Sequence, residues 1–238
     1  MEDLQNILFL DIETVALSES HALLDERSKA HWARKANFFR QRDPSLSEEG
    51  LYRDRAGIYA EFGKIIVIAI GRFITDENGN RTLKTRAFAN HDELTLLQEF
   101  RGALEKMDQS RLRFCAHNGK EFDFPYLSRR MLVHGIPLPE SLSLSGRKPW
   151  EIPHLDTLEM WKFGDYKHYT SLDLLTTVFN IPTSKGDMDG SQVNEVYYRE
   201  KDLRKIVEYC VGDVIAVAQL FLRLRGCPMI ETNKIIAS

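Results

Sequence analysis

Asp11 and Glu13 close an apolar run, ILFLDIET, that extends from Ile7 to Thr14. A third carboxylate, Asp123, sits far downstream in AHNGKEFDFPYL, and a fourth, Asp213, in YCVGDV, with Tyr209 one helical turn before it. Carboxylates brought from such distant segments to one point repel each other unless divalent cations neutralise them. Two cations held in that way can clamp the attacking and leaving oxygens of a phosphodiester during hydrolysis. The local geometry allows the convergence: residues two apart on a strand share a face, as do residues four apart on a helix. Each residue also has a plainer reading. Asp11 and Glu13 can be solvated acids at a strand end, Asp123 a helix N-cap, and Tyr209 a core or surface residue. It is the combination that points to metal chemistry.

The elements that must position these side chains are readable in outline. Ile7–Val15 has the pattern of a short buried strand. Residues 18–55 favour helix, broken at Asp43-Pro44. Lys64–Ile74 is β-branched and apolar, and the Asn-Gly turn in DENGN returns the chain as an antiparallel strand over Arg81–Phe88. A helix capped by Asp92 runs to Met107, and a strand over Arg111–Ala116 leads into the second acidic segment. Asp123 is expected to cap a helix reaching His134, with Pro125 in its first turn. A Ser/Pro/Gly loop, an edge strand over Ile152–Asp156 and further helices follow, with Asp156 capping the first of them. The longest helix is expected over Asp202–Leu224, and the chain from Gly226 reads as a tail. The order predicts an α/β fold with a mixed central sheet flanked by helices.

At 238 residues the chain fits one large domain, with 43% hydrophobic and 28% charged residues. No apolar run is long enough to span a bilayer, and the acidic N-terminus is unlike a secretory signal, so a cytoplasmic location is expected. Cys115, Cys210 and Cys227 read as reduced thiols, the first two on buried faces. The seven histidines have no metal-ligand spacing. The formal charge of −3 does not exclude nucleic acid, because acid concentrated at a metal site is reversed locally by the bound cations.

The order and wording of these segments resemble the DEDD superfamily of 3′–5′ exonucleases, proofreading nucleases on the ribonuclease H-like (DnaQ-like exonuclease) fold. The likeness covers nearly the whole chain. Its motifs are matched by LDIET, by N-x-x-x-F-D (Asn118, Phe122, Asp123) and by Y-x-x-x-D (Tyr209, Asp213). One branch of the superfamily carries a histidine five residues before the last aspartate, where this chain has Glu208; the other carries a tyrosine four before it, matched by Tyr209. The wording is similar to the exonuclease domain of family-B DNA polymerases. Phe62-Gly63-Lys64-Ile65 and KGDMDGSQV, from Lys185 to Val193, resemble a stand-alone group, the polymerase-B-like predicted exonucleases.

The resemblance implies a single exonuclease domain over residues 1–238 with a helical insertion at about 18–60. It implies that Asp11, Glu13 and Asp213 ligate one divalent ion, that Asp11 bridges to a second, and that Asp123 supports the second. Mg²⁺ or Mn²⁺ suits such hard oxygen ligands better than Zn²⁺. Tyr209, with an ordinary pKa near ~10, would orient the attacking water. The implied substrate is the 3′ end of single-stranded nucleic acid, DNA favoured over RNA, with a polymerase or repair factor as a partner in trans and no membrane. An exoribonuclease is the nearest alternative, because the carboxylates do not sense a 2′-hydroxyl. A non-catalytic binding module is a further one, against which stands the presence of all four carboxylates and the tyrosine.

Substrate contacts are expected at Thr14 and Val15, whose backbone approaches the terminal nucleotide in the family, or which simply end the strand. Asn118 either holds the substrate or stabilises a turn, and Phe122 either stacks on the terminal base or packs in the core. Lys185, in a tight exposed loop made by Gly186 and Gly190, is either a phosphate contact or a solvated lysine. Residues 27–42 interleave six cations with Trp32, Phe38 and Phe39. They either guide a single strand or form a solvated helix with one apolar face.

Overall fold

The computed structural model describes residues 4–165, 169–182 and 188–237. Strand β1 (Ile7–Ala16) is buried on both faces because it lies inside the sheet, parallel to β4 (Arg113–Ala116) on one side and antiparallel to β2 (Gly63–Thr75) on the other. Helices α1 (Glu26–Arg40) and α2 (Glu48–Arg55) fill the connection from β1 to β2, capped by Asp25 and Ser47. A tight turn leads from β2 into antiparallel β3 (Arg81–Ala89), and α3 (Glu93–Leu104) starts at its Asp92 cap as expected. After β4 come α4 (Asp123–Val133), the two-residue edge strand β5 (Leu155–Asp156), α5 (Thr157–Lys162) and α6 (Leu172–Val178). The expected helix after Ser191 is a short α7 (Val193–Glu195) running into a π-helical turn over Val196–Glu200. Helix α8 (Leu203–Leu224) is the longest.

With a last strand β6 (Ile235–Ala237), the sheet order is β5-β4-β1-β2-β3-β6, mixed as expected. Its last member corrects the sequence reading. The segment after Gly226 is not a loose tail: β6 (Ile235–Ala237) pairs in parallel with Leu83–Thr85 of β3. An edge strand presents unpaired backbone groups, and β6 covers part of that edge.

Side-chain alternation along β1 separates two cores. Leu8, Leu10 and Ile12 pack with α3 and α4 through residues such as Phe100, Phe124 and Leu127. Ile7 and Phe9 face α8 through Val214, Val217 and Phe221. Asp11 and Glu13 continue the α8 side, where the apolar alternation gives way to acid. The close seat of α8 depends on Gly71 of β2: a Cβ there would lie 2.8 Å from Val214 Cγ1. Where β1 passes Glu13, its register against β2 shifts between Glu13/Val67 and Thr14/Ile65, a bulge of the kind that re-aims side chains beside a site. Among the described residues no helix is long and apolar enough to cross a membrane.

Candidate active site

Three elements meet at the C-terminal half of β1. The strand supplies Asp11 and Glu13, α8 supplies Tyr209 and Asp213, and the start of α4 supplies Asp123. Ligand atoms of Asp11, Glu13 and Cys210 lie within 4.8 Å of one another, and the Cys210 thiol donates to Asp11 Oδ2 at 3.2 Å. Burial pushes the Asp11 and Glu13 carboxyls well above the ordinary range. Neighbouring charge adds to it: Glu13, Asp123 and Asp213 for Asp11, then Asp213 and Asp123 for Glu13. All four carboxylates therefore feel one another, as converging acids must.

Asp123 corrects another expectation. The N-cap of α4 is Phe122, not Asp123, and Asp123 is the first helical residue. Its carboxylate leaves the helix to accept the Ile12 backbone N–H at 3.2 Å, which ties α4 to β1 between the two motif acids. Burial raises its pKa to about 7, with hydrogen bonds from the backbone opposing and the charges of Asp156 and Asp213 adding.

Tyr209 hydrogen-bonds Asp213, and burial followed by the Asp213 charge pushes its phenol above the ordinary tyrosine value. It stays protonated, a donor rather than a base. Burial and the charges of Asp11 and Glu13 also push up the Cys210 thiol, which therefore remains an S–H donor to Asp11. A hard divalent cation fits this donor set: several carboxylate oxygens whose repulsion it would relieve, beside a protonated sulfur that does not compete as a soft ligand.

A cavity of about 810 Å³ opens beside the acids, lined by Ile12, Glu13, Thr14 and Phe122 on one side and by parts of 45–58 and 190–194 on the others. Thr14 lines it, whereas Val15 is fully buried in the core and does not line the opening. Phe122 is half-buried, its ring 5.3 Å from that of Tyr126, and it also lines the cavity. Asn118 serves the turn before α4: it is left-handed at φ 63°, its N–H donates to Asp156 Oδ1, and its carbonyl accepts from Phe122. Asp156 caps α5 as expected, and it also accepts from Lys120, so one buried carboxylate clasps both ends of the approach to Asp123. Lys185 lies outside the described residues.

Sequence reasoning missed several neighbours. Cys210 was legible as buried, but its contact with Asp11 spans 199 positions. Gly190 approaches the hydroxyl of Tyr209, 3.9 Å from where a Cβ would sit. The segment around it is pinned to β1 by Asn194, which accepts the Ala16 N–H, and by Tyr198, which donates to the Ala16 carbonyl. Tyr169 is exposed, yet the charges of Asp156 and Asp123 reach it.

The model of a family described as a predicted 3′–5′ exonuclease related to the exonuclease domain of PolB matches residues 58–230. The chain belongs to this exonuclease family. Asp123, Tyr209 and Asp213 fall within the matched residues; Asp11 and Glu13 precede them. Among solved structures, the family B DNA polymerase from the hyperthermophilic archaeon Pyrobaculum calidifontis aligns with a TM-score of 0.54 at 15% identity, over 91% of this chain and 24% of that one. The chain thus has the ribonuclease H-like fold and spans about a quarter of that polymerase. No curated protein matches the chain. Membership in an exonuclease family implies a nucleic-acid substrate.

Proposed function

We propose that this protein is a metal-dependent 3′–5′ exonuclease that removes nucleoside 5′-monophosphates from the 3′ end of single-stranded nucleic acid, DNA in preference to RNA. The observation that carries the reading is the convergence of Asp11, Glu13, Asp123 and Asp213 from three elements, with Tyr209 hydrogen-bonded to Asp213. Asp11, Glu13 and Asp213 would hold one Mg²⁺ or Mn²⁺, and Asp11 with Asp123 a second. Bound there, the cations would neutralise the scissile phosphate and acidify the attacking water. Tyr209 would orient that water, its oxygen accepting a hydrogen bond while its proton is held by Asp213, and its raised pKa favours orientation over proton abstraction. The Ile12–Asp123 hydrogen bond fixes α4 against β1, so the acids keep their spacing while substrate enters.

The cavity beside Glu13 would take the terminal nucleotide, with Thr14 at its edge and Phe122 against the base. Asn118 would act by holding the turn that presents Asp123, and Lys185 would contact a phosphate. Residues 1–238 are read as one exonuclease domain with a helical insertion at about 18–60, acting in trans for a polymerase or repair factor. Three free thiols, two of them buried, suit a reducing cytoplasm.

The test is incubation with 5′-labelled single-stranded DNA and RNA of matched sequence, with Mg²⁺ or Mn²⁺, beside Asp11→Ala. A metal-dependent ladder shortening from the 3′ end, absent in the variant, is expected, faster on DNA. Faster loss of RNA would move the reading to an exoribonuclease, and intact strands with retained binding would reduce it to a binding module.

A further inference from the structure

Helix α1 lies ahead of the residues matched by the family, which begin at 58, and carries a charge pattern the acidic cluster does not use. From Arg27 to Arg42 there are six cations and no carboxylate, in a chain of formal charge −3. The fold divides this stretch between two faces. Trp32 and Ala36 are buried, the Trp32 ring edge-on to those of Tyr52 at 5.3 Å and Phe62 at 5.1 Å. Arg27, His31, Arg34 and Phe38 follow the spacing of a single helical stripe, and all are exposed, with Arg42 continuing past the helix end. Local acids hold two of the cations, Lys29 by Glu26 and Arg40 by Glu48.

Other cations lie against aromatic rings. Lys35 sits 3.8 Å over Tyr59, Arg42 5.0 Å over Phe38, and Arg55 5.0 Å over Phe39. A groove of about 610 Å³ runs past His31, Arg34 and Lys35, with Glu61 and Phe62 on its other wall. One short run of chain serves both this groove and the cavity beside Glu13: Arg55 and Ile58 line the cavity, Tyr59 lies under Lys35, and Glu61 and Phe62 line the groove.

We propose that this basic and aromatic face of α1 is a docking track for the single strand 5′ of the terminal nucleotide. The proposal rests on the nuclease reading above. Cations along the track neutralise phosphates and release counterions, and the exposed Phe38 ring offers a base a stacking surface. Fifteen residues of helix span about 22 Å, enough for several nucleotides rather than one.

The test measures fluorescence anisotropy of 5′-labelled single strands against salt, in an Asp213→Asn background with Mg²⁺ so that nothing is cut. A trinucleotide is compared with a strand of about fifteen nucleotides, since single-strand sites span about 4–16. Arg34→Ala with Arg42→Ala is expected to weaken the long strand about tenfold and to collapse its advantage over the trinucleotide. The slope of log Kd against log salt should fall by about 1.4, or ~0.7 for each phosphate left without its arginine. Replacing both residues with lysine should restore the slope, and melting curves would confirm that each variant is folded. An unchanged slope, equal loss on both lengths, or equal loss on a blunt duplex would overturn the track. A wild-type protein that shortens strands but binds them independently of length defeats only this inference. One that shortens nothing with either metal defeats the nuclease reading.

Discussion

Asp213→Asn keeps the shape of the side chain and removes one charge from a cluster in which burial and mutual repulsion hold Asp11 and Glu13 well above ordinary carboxyl values. In EDTA at neutral pH the variant should melt at a higher temperature than wild type, because one charge that repels the buried Asp11 and Glu13 carboxyls is gone. Mn²⁺ should raise the melting temperature of wild type and not of the variant, and the cleavage rate of the variant should fall by about 10²-fold or more, since even outer-shell changes at metal sites cost ~10–100-fold. A variant that melts lower in EDTA would show that Asp213 is structural. Tyr209→Phe separates the two roles further. It removes the hydroxyl alone, so Mn²⁺ stabilisation should persist while kcat drops about 10²-fold, the lower range for a positioned proton-handling group. At this scale the sequence was informative because strand and helix periodicity alone put Asp11 beside Glu13 and Tyr209 beside Asp213. The thiol of Cys210 against Asp11 was invisible, because no local period links positions 199 apart.

Element packing sets the distances between those pairs. Gly71 lets α8 approach β2, and a methyl at that position would stand 2.8 Å from Val214 Cγ1, one residue from Asp213. Gly71→Ala should cost about 1–3 kcal/mol in urea unfolding, as overpacking does. It should also lower activity by more than the unfolded fraction explains, because α8 carries two of the site residues. Helices α3 and α4 are held to β2 and the chain just before it by a buried ion network. Glu93 and Arg130 are 5% and 4% exposed, joined at 2.9 Å; Glu93 also accepts the Ile65 N–H, and Arg130 donates to the Ala60 carbonyl. Arg130→Ala leaves the Glu93 carboxylate with only the Ile65 N–H and the His134 ring as partners and should cost about 3 kcal/mol by the same measurement. Both helices were legible in the sequence, from their caps and breakers, but Glu93 and Arg130 were not singled out. Their pairing was not legible, because it depends on how α3 and α4 cross the sheet.

Across the whole molecule, pH acts on His154, which bridges β4 to the loop before β5. Its Nδ1 accepts the Phe114 N–H at 3.2 Å and its Nε2 donates to the Ser141 carbonyl at 2.7 Å, so the neutral ring fits both partners. Burial, with the nearby cations Lys120, Arg113 and Arg147 adding, lowers its pKa from 6.5 to about 4. A folded state that binds its proton less readily than the unfolded state has its full stability above pH 6.5 and loses it as the pH falls toward 4. The loss attributable to this ring is about 3 kcal/mol. The raised carboxyls of the acidic cluster act in the opposite direction, so the expected readout is the difference in unfolding free energy between wild type and His154→Gln. That difference should shrink from pH 7 to pH 4 if the ring is the cause, and stay flat if it is not.

By itself the sequence determined what depends on near neighbours: the strand that ends in two same-side acids, the caps at Asp92 and Asp156, the hairpin, the long last helix, and motifs with the wording of an exonuclease family. Tertiary structure decided what depends on distant backbone. It turned Asp123 from a helix cap into an acceptor for Ile12, made a strand of Ile235–Ala237 against the open edge of β3, and split the basic stretch of α1 into a buried tryptophan face and an exposed cationic one. Capping and periodicity are satisfied within a turn or two of chain. Partners for a buried carboxylate, a free sheet edge or a helix face exist only once the layers have packed.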